Sequence, residues 1–154
     1  MLPFKKILCP IDFSEPSYQA LKMASEMAQK FAAELTVIHV IPDIPKASPP
    51  DPNAEATEAY LRYQRELEAE SKKLLNAAVS RYTARELKVR EIIEMGDAAL
   101  IVAKIADEED ADLVVVSTHG RTGWRRFVFG SVAERIVRHA QCPVLVIQTP
   151  HVEE

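Results

Sequence analysis

The segment from Ser117 to Ile147, STHGRTGWRRFVFGSVAERIVRHAQCPVLVI, holds the residues best suited to chemistry. Gly120 and Gly123 allow backbone amides to approach a ligand closely or to take positive φ. Gly130 and Ser131 open a helical pattern, whose first N–H groups and positive dipole end favour an anion. Arg121, Arg125 and Arg126 add positive charge to the same loop. Together these residue types suit a phosphate. A plainer reading fits them too. Ser131 and Glu134 match the S-x-x-E capping box, and the glycines suit tight turns, so spacing alone leaves both readings open.

The histidines say less. His119 borders Gly120 within reach of a ligand there, although loop histidines are commonly just solvated. His39 lies in an apolar run and reads as a satisfied core residue, and His139 closes a helix where partial positive charge suits the dipole. No G-x-S-x-G elbow, H-E-x-x-H or G-x4-G-K-[ST] loop is present, and no carboxylate pair stands out. No catalytic constellation is found among these residues.

The elements that must position these residues alternate in type. Phe4 to Ile11 reads as a strand ending in the turn residues Asp12 and Ser14. Ala20, Leu21, Ala24, Met27, Ala28 and Phe31 recur at helical spacing, with Pro16 in the first turn, where its missing N–H costs nothing. Leu35 to Ile41 is a continuous β-branched run. Pro42 to Asn53 holds five of the ten prolines and reads as an exposed connector, extending over 42–56. Tyr60, Tyr63, Leu67, Leu74, Ala78 and Tyr82 mark a long helix. Leu87 to Glu94 alternates apolar and charged residues, which predicts an edge strand. Gly96-Asp97 caps a helix using Ala98, Ile101, Val102 and Ile105. Ala111 to Ser117 is the most buried-looking strand; a helix over Val132 to Ala140 and a strand over Val144 to Ile147 close the pattern.

Continuous apolar strands alternating with helices predict a parallel sheet covered on both faces. Ligands in such sheets bind beyond the strands' carboxyl ends, where strand order reverses. That edge gathers Asp12, Val40 to Pro42, Met95-Gly96 and Ser117 to Gly120.

Bulk properties exclude several classes. A length of 154 residues fits one domain, taken as 1–149 with a short tail over 150–154. A net charge of -4 gives no global field for nucleic acid or an anionic membrane. No apolar run approaches the roughly 20 residues of a membrane span, and Ile7-Leu8-Cys9 is too short for a secretory core. Cys9 and Cys142 lack metal or redox spacing and read as small core residues carrying reduced thiols. The expectation is a cytoplasmic protein.

The segment resembles the signature of the universal stress protein family, whose nucleotide-binding members carry G-x2-G-x9-G-[S/T]. Nine residues separate Gly120 from Gly130, and Ser131 follows; Ser117 stands where the first glycine belongs. The opening KKILCPIDFSEPSYQALKMA, the HVI ending the second strand and GDAAL after the third are similar to the family as well. The resemblance implies a five-stranded parallel sheet of order 3-2-1-4-5 with helices on both faces, Rossmann-like and akin to the adenine nucleotide alpha hydrolase fold. It also implies an ATP site, or one for another adenine nucleotide, with Mg²⁺ or Mn²⁺ on the phosphates.

Carried over by position, the contacts fall on Pro10, Ile11, Asp12, Val40, Met95, Ser117, Thr118, His119, Gly120, Arg121, Gly123, Gly130, Ser131 and Val132. Asp12 would bond the ribose or adenine, Val40 would meet adenine through its backbone, and amides near Gly120 and Gly130 would converge on the phosphates. From its residue type, Asp12 is equally a turn or cap residue. The implied assembly is a homodimer joined through Val144, Leu145, Val146 and Ile147, acting on an unidentified regulatory protein as a nucleotide-dependent stress-response regulator. A slow ATPase or phosphotransferase, and an interaction protein of the same fold without nucleotide, are the alternatives.

Overall fold

The computed structural model describes residues 2–43, 54–118 and 130–149. Nine elements follow in order: β1 (Lys6–Pro10), α1 (Glu15–Phe31), β2 (Glu34–Ile41), α2 (Ala54–Tyr82), β3 (Val89–Met95), α3 (Ala98–Glu108), β4 (Leu113–Ser117), α4 (Ser131–His139) and β5 (Val144–Ile147). The strands form one parallel sheet of order β3-β2-β1-β4-β5. β3 lies at an edge, as its charged alternation predicts.

Alternation along each strand builds two cores. Ile7, Cys9, Leu35, Val37, Leu113 and Val115 face α1 and α2, packing on Leu21, Ala24, Leu75 and Ala78. Leu8, Ile38, Val40, Val114 and Val116 face α3 and α4, packing on Val102, Ala106, Ala133 and Ile136. Each fully buried aliphatic side chain contributes about 1.5–3 kcal/mol of transfer free energy. Cys9 is fully buried, which drives its thiol pKa far up, and Cys142 is partly buried with its pKa raised by the same cause. Both are free thiols.

Local signals explain the helix boundaries. Ser14 caps α1 by accepting from Ser17 N–H at 3.3 Å, and Pro16 sits in the first turn. Ala32 ends that helix in the left-handed region at φ 54°. Asp97 caps α3 by accepting from Leu100 N–H at 3.1 Å. Two expectations need correction. Helix α2 begins at Ala54, inside the stretch 42–56 assigned to the connector, because Ala54, Glu55 and Ala56 are good helix formers once Pro52 is passed. The rest of that connector, 44–53, lies outside the described residues, as does the tail over 150–154. The capping box is also not formed. Ser131 is the first helical residue of α4, Gly130 is the cap, and Glu134 pairs instead with Arg138 at 2.7 Å.

Candidate functional site

The sheet's order reverses at β1, and here its carboxyl edge opens. β1 and β4 pair only at Ile7–Leu113 and Leu8–Val114. Pro10 follows; it has no N–H to offer β4, so the two strands part without losing a bond there. On the other side, β1 stays with β2 as far as Pro10–Ile38, and Ile11 N–H donates to the Ile38 carbonyl at 2.8 Å.

Beyond Ile11 the chain turns sharply. Asp12 Oδ1 accepts from Ser14 N–H at 3.0 Å and from the Ser14 hydroxyl, while Ser14 Oγ caps α1. The turn role open to Asp12 from its residue type is thus seen directly. Between them Phe13 takes φ 63°, a left-handed conformation unusual for an aromatic residue. Its ring lies on that of His39, centroids 4.2 Å apart, and His39 Nδ1 sits 2.8 Å from the Ile11 carbonyl oxygen. His39 is hydrogen-bonded as expected, but it is half-buried at the sheet edge rather than within the core. Sequence reasoning missed this pairing. Its trace is the spacing of an aromatic after β1 and a ring near the end of β2.

The opposite wall begins at the end of β4. Ser117 and Thr118 are buried, at 8% and 4% exposure, and Thr118 N–H donates to the Ile147 carbonyl at 3.0 Å. The Thr118 carbonyl in turn accepts from Gly130 N–H at 2.6 Å. The Gly130 amide is therefore already occupied. To serve as a donor to phosphate, Gly130 N–H would first have to leave that carbonyl. The helix's own first bond runs from Glu134 N–H to the Gly130 carbonyl at 3.0 Å, and the cap residue, being glycine, has no side chain to bond the helix end. By helix geometry, the N–H groups of Ser131, Val132 and Ala133 are those without a partner inside α4.

The remaining candidates divide. Val40 is buried, with its backbone on the β1 side of β2. Met95 ends β3 beside Ile41, at the same carboxyl edge and across β2 from β1, and Gln64 of α2 donates to its sulfur at 3.2 Å. His119, Gly120, Arg121 and Gly123 lie outside the described residues, as do Arg125 and Arg126. Arg135, in α4, pairs with Asp97 at 2.8 Å; that contact and Leu100 N–H hold the Asp97 carboxyl below the usual range. Among the described residues there is no cluster of three or more metal-ligating side chains, and no helix is long and apolar enough to cross a membrane.

The universal stress protein family matches residues 3–148. The chain belongs to that family. A universal stress protein of Methanocaldococcus jannaschii is 33% identical over 150 residues, covering 97% of this chain and 85% of the relative. The solved structure of hypothetical protein MJ0577, whose biochemical function was assigned from its structure, superimposes with a TM-score of 0.80 at 28% identity, covering 96% and 98% of the two chains. Three more distant structures, each 22% identical, contain an adenine nucleotide. A universal stress protein was solved with cAMP (TM-score 0.68, covering 96% and 99%), and that of Archaeoglobus fulgidus with dAMP (0.65, 96% and 99%). An Arabidopsis thaliana family member was solved with AMP (0.64, 95% and 92%). At this identity the three show a shared fold.

Within the universal stress protein family pattern, the chain departs at Ser117. Ser117 is buried, at 8% exposure.

Proposed function

We propose that this universal stress protein family member binds an adenine nucleotide at the carboxyl edge of its sheet and acts as a cytoplasmic, nucleotide-dependent regulator. The observation that carries this reading is the start of α4. Its cap residue, Gly130, has no side chain to bond the first amides, and Gly130 N–H reaches the Thr118 carbonyl just past the end of β4. Such amides and the helix dipole suit phosphate oxygens. The residues fit the group in kind: Ser131 and Val132 N–H with the Ser131 hydroxyl for phosphate, Asp12 for a ribose hydroxyl, and the Val40 backbone for adenine. A Mg²⁺ or Mn²⁺ ion on the phosphate oxygens would supply charge neutralisation, with few protein ligands. Strand β5 offers an apolar, half-buried edge at Val144, Leu145, Val146 and Ile147 on which a second copy would pair.

Mass spectrometry of small molecules released from the freshly purified protein, followed by ATP titration with Mg²⁺, tests the reading. An adenine nucleotide in the released fraction and saturable binding are expected; no binding below millimolar ATP rejects it. A second reading, an interaction protein without nucleotide, draws on two observations: the occupied Gly130 amide and the Cβ of Ser117. Ser117→Gly separates the two. Tighter nucleotide binding marks the serine as an obstruction, and unchanged binding removes that support.

A further inference from the structure

We infer that His39 is a positioning residue that keeps the backbone edge of Val40 open to adenine by holding the Ile11 carbonyl away from it. This rests on the adenine-nucleotide reading above and concerns how the base is selected.

In a parallel sheet, successive residues of a strand bond alternately to the two neighbours. The Ile38 carbonyl accepts from Ile11 on the β1 side, and the Ile41 carbonyl accepts from Gly96 on the β3 side. Val40 therefore turns its N–H and C=O toward β1. One more rung of the ladder would give Val40 N–H to the Ile11 carbonyl. That bond is not among the backbone bonds of the described residues. The Ile11 oxygen instead lies 2.8 Å from His39 Nδ1. A carbonyl can only accept, so Nδ1 carries the proton and donates.

The next residues hold the chain in this path. Phe13 at φ 63° turns it off the sheet, in a left-handed conformation that is unfavourable for a non-glycine residue. Such a residue persists when its surroundings over-determine it. Here the His39 ring against Phe13, and the Asp12 carboxylate against Ser14, do so from either side. The consequence is a donor and an acceptor side by side on one backbone edge. Adenine presents the complement, an acceptor at N1 beside a donor at N6. Hypoxanthine presents the reverse, N1–H beside O6, and mismatches both groups.

The test uses the full chain with two variants and two readouts. His39→Leu removes the donor; His39→Asn keeps an N–H where Nδ1 stands. In the ligand-free protein, Val40 amide exchange should be fast, slow by about tenfold or more in His39→Leu as the extra rung forms, and stay fast in His39→Asn. The affinity ratio of AMP to IMP should be about tenfold or more in the parent and in His39→Asn, and fall toward one in His39→Leu. If His39→Leu does not fold, His39→Gln replaces it, since its amide reaches the Nε2 position and not Nδ1. Unchanged Val40 exchange, or equal loss of AMP and IMP binding, overturns the inference. If the parent binds neither AMP nor IMP, the nucleotide reading fails, and the adenine role of His39 falls with it. The exchange result reports separately whether His39 holds the ladder open.

Discussion

At the amino edge of the sheet, the Asp112 carboxylate accepts the N–H groups of Lys5 and Lys6 at 2.8 and 2.9 Å, tying β4 to β1. Beside it, Lys6 Nζ donates to the Glu109 carbonyl at 3.0 Å, and Arg90 pairs with the Glu109 carboxylate. At the carboxyl edge the same two strands separate after Leu8 and Val114. Pro10 offers no donor, Phe13 bends the chain away, and α4 starts without a side-chain cap. A depression of about 440 Å³ lies at the amino edge, lined by Lys6, Glu34, Thr36, Lys88, Arg90 and Glu109. Its size does not make it the site, because Arg90 and Glu109 already pair there and Lys6 Nζ is held by a backbone carbonyl. One sheet thus has a clamped end and an open end. The clamp lets the open end diverge without unzipping the sheet, and groups left unmatched within the protein gather where strands part.

Three substitutions bear on that contrast. The largest effect belongs to Ser131→Pro, which deletes the first amide of α4. Gly130 has φ -54° and ψ 137°, the extended conformation a residue before proline prefers, so the helix should tolerate the change. Nucleotide affinity by calorimetry should fall about 10–100-fold, the loss of one or two bonds to a charged group. Lys88→Ala at the clamped end should leave it unchanged; an equal loss there would break the distinction between the ends.

Gly96→Ala comes next. Gly96 has φ 139°, and a Cβ would lie 2.9 Å from Ile101 Cδ1. The methyl end of Ile101 can yield, whereas the backbone cannot, so denaturant unfolding should report a loss of about 1–3 kcal/mol.

Asp112→Asn probes the clamp and gives the smallest effect. The Lys5 and Lys6 amides hold the Asp112 carboxyl below its ordinary 3.8. A lowered folded-state pKa stabilises above the unfolded value and is lost as pH falls through the folded one. Urea midpoints of parent and variant should therefore differ at pH 7 and converge only as the pH falls below 3.8 and through the lowered folded-state value. A gap that persists in acid would mean the carboxylate's charge is not what ties the strands.

Much of this was legible in the residues. Periodicity placed every element: the run at Leu35 to Ile41 became β2 with one residue added, and the alternation at Leu87 to Glu94 became an edge strand shifted to Val89–Met95. Asp97 after Gly96 read correctly as a cap. Ser131 did not, because S-x-x-E is the same string whether the serine is the cap or the first helical residue. The choice was made by the bond from Gly130 N–H to the Thr118 carbonyl. That contact joins residues distant in sequence, and no local pattern encodes it. His39 was legible as hydrogen-bonded, but its partner was not, since the carbonyl it holds lies 28 residues earlier.

By itself the sequence determined the alternation of strands and helices and the family. Those follow from periodicity and spacing, which act over a few residues. Only the tertiary structure decided that the Gly130 amide bonds the Thr118 carbonyl and that His39 takes the Ile11 carbonyl. The reason is that a backbone group at the end of a ladder bonds to whatever the departing strand leaves beside it. That neighbour is set by where distant strands part.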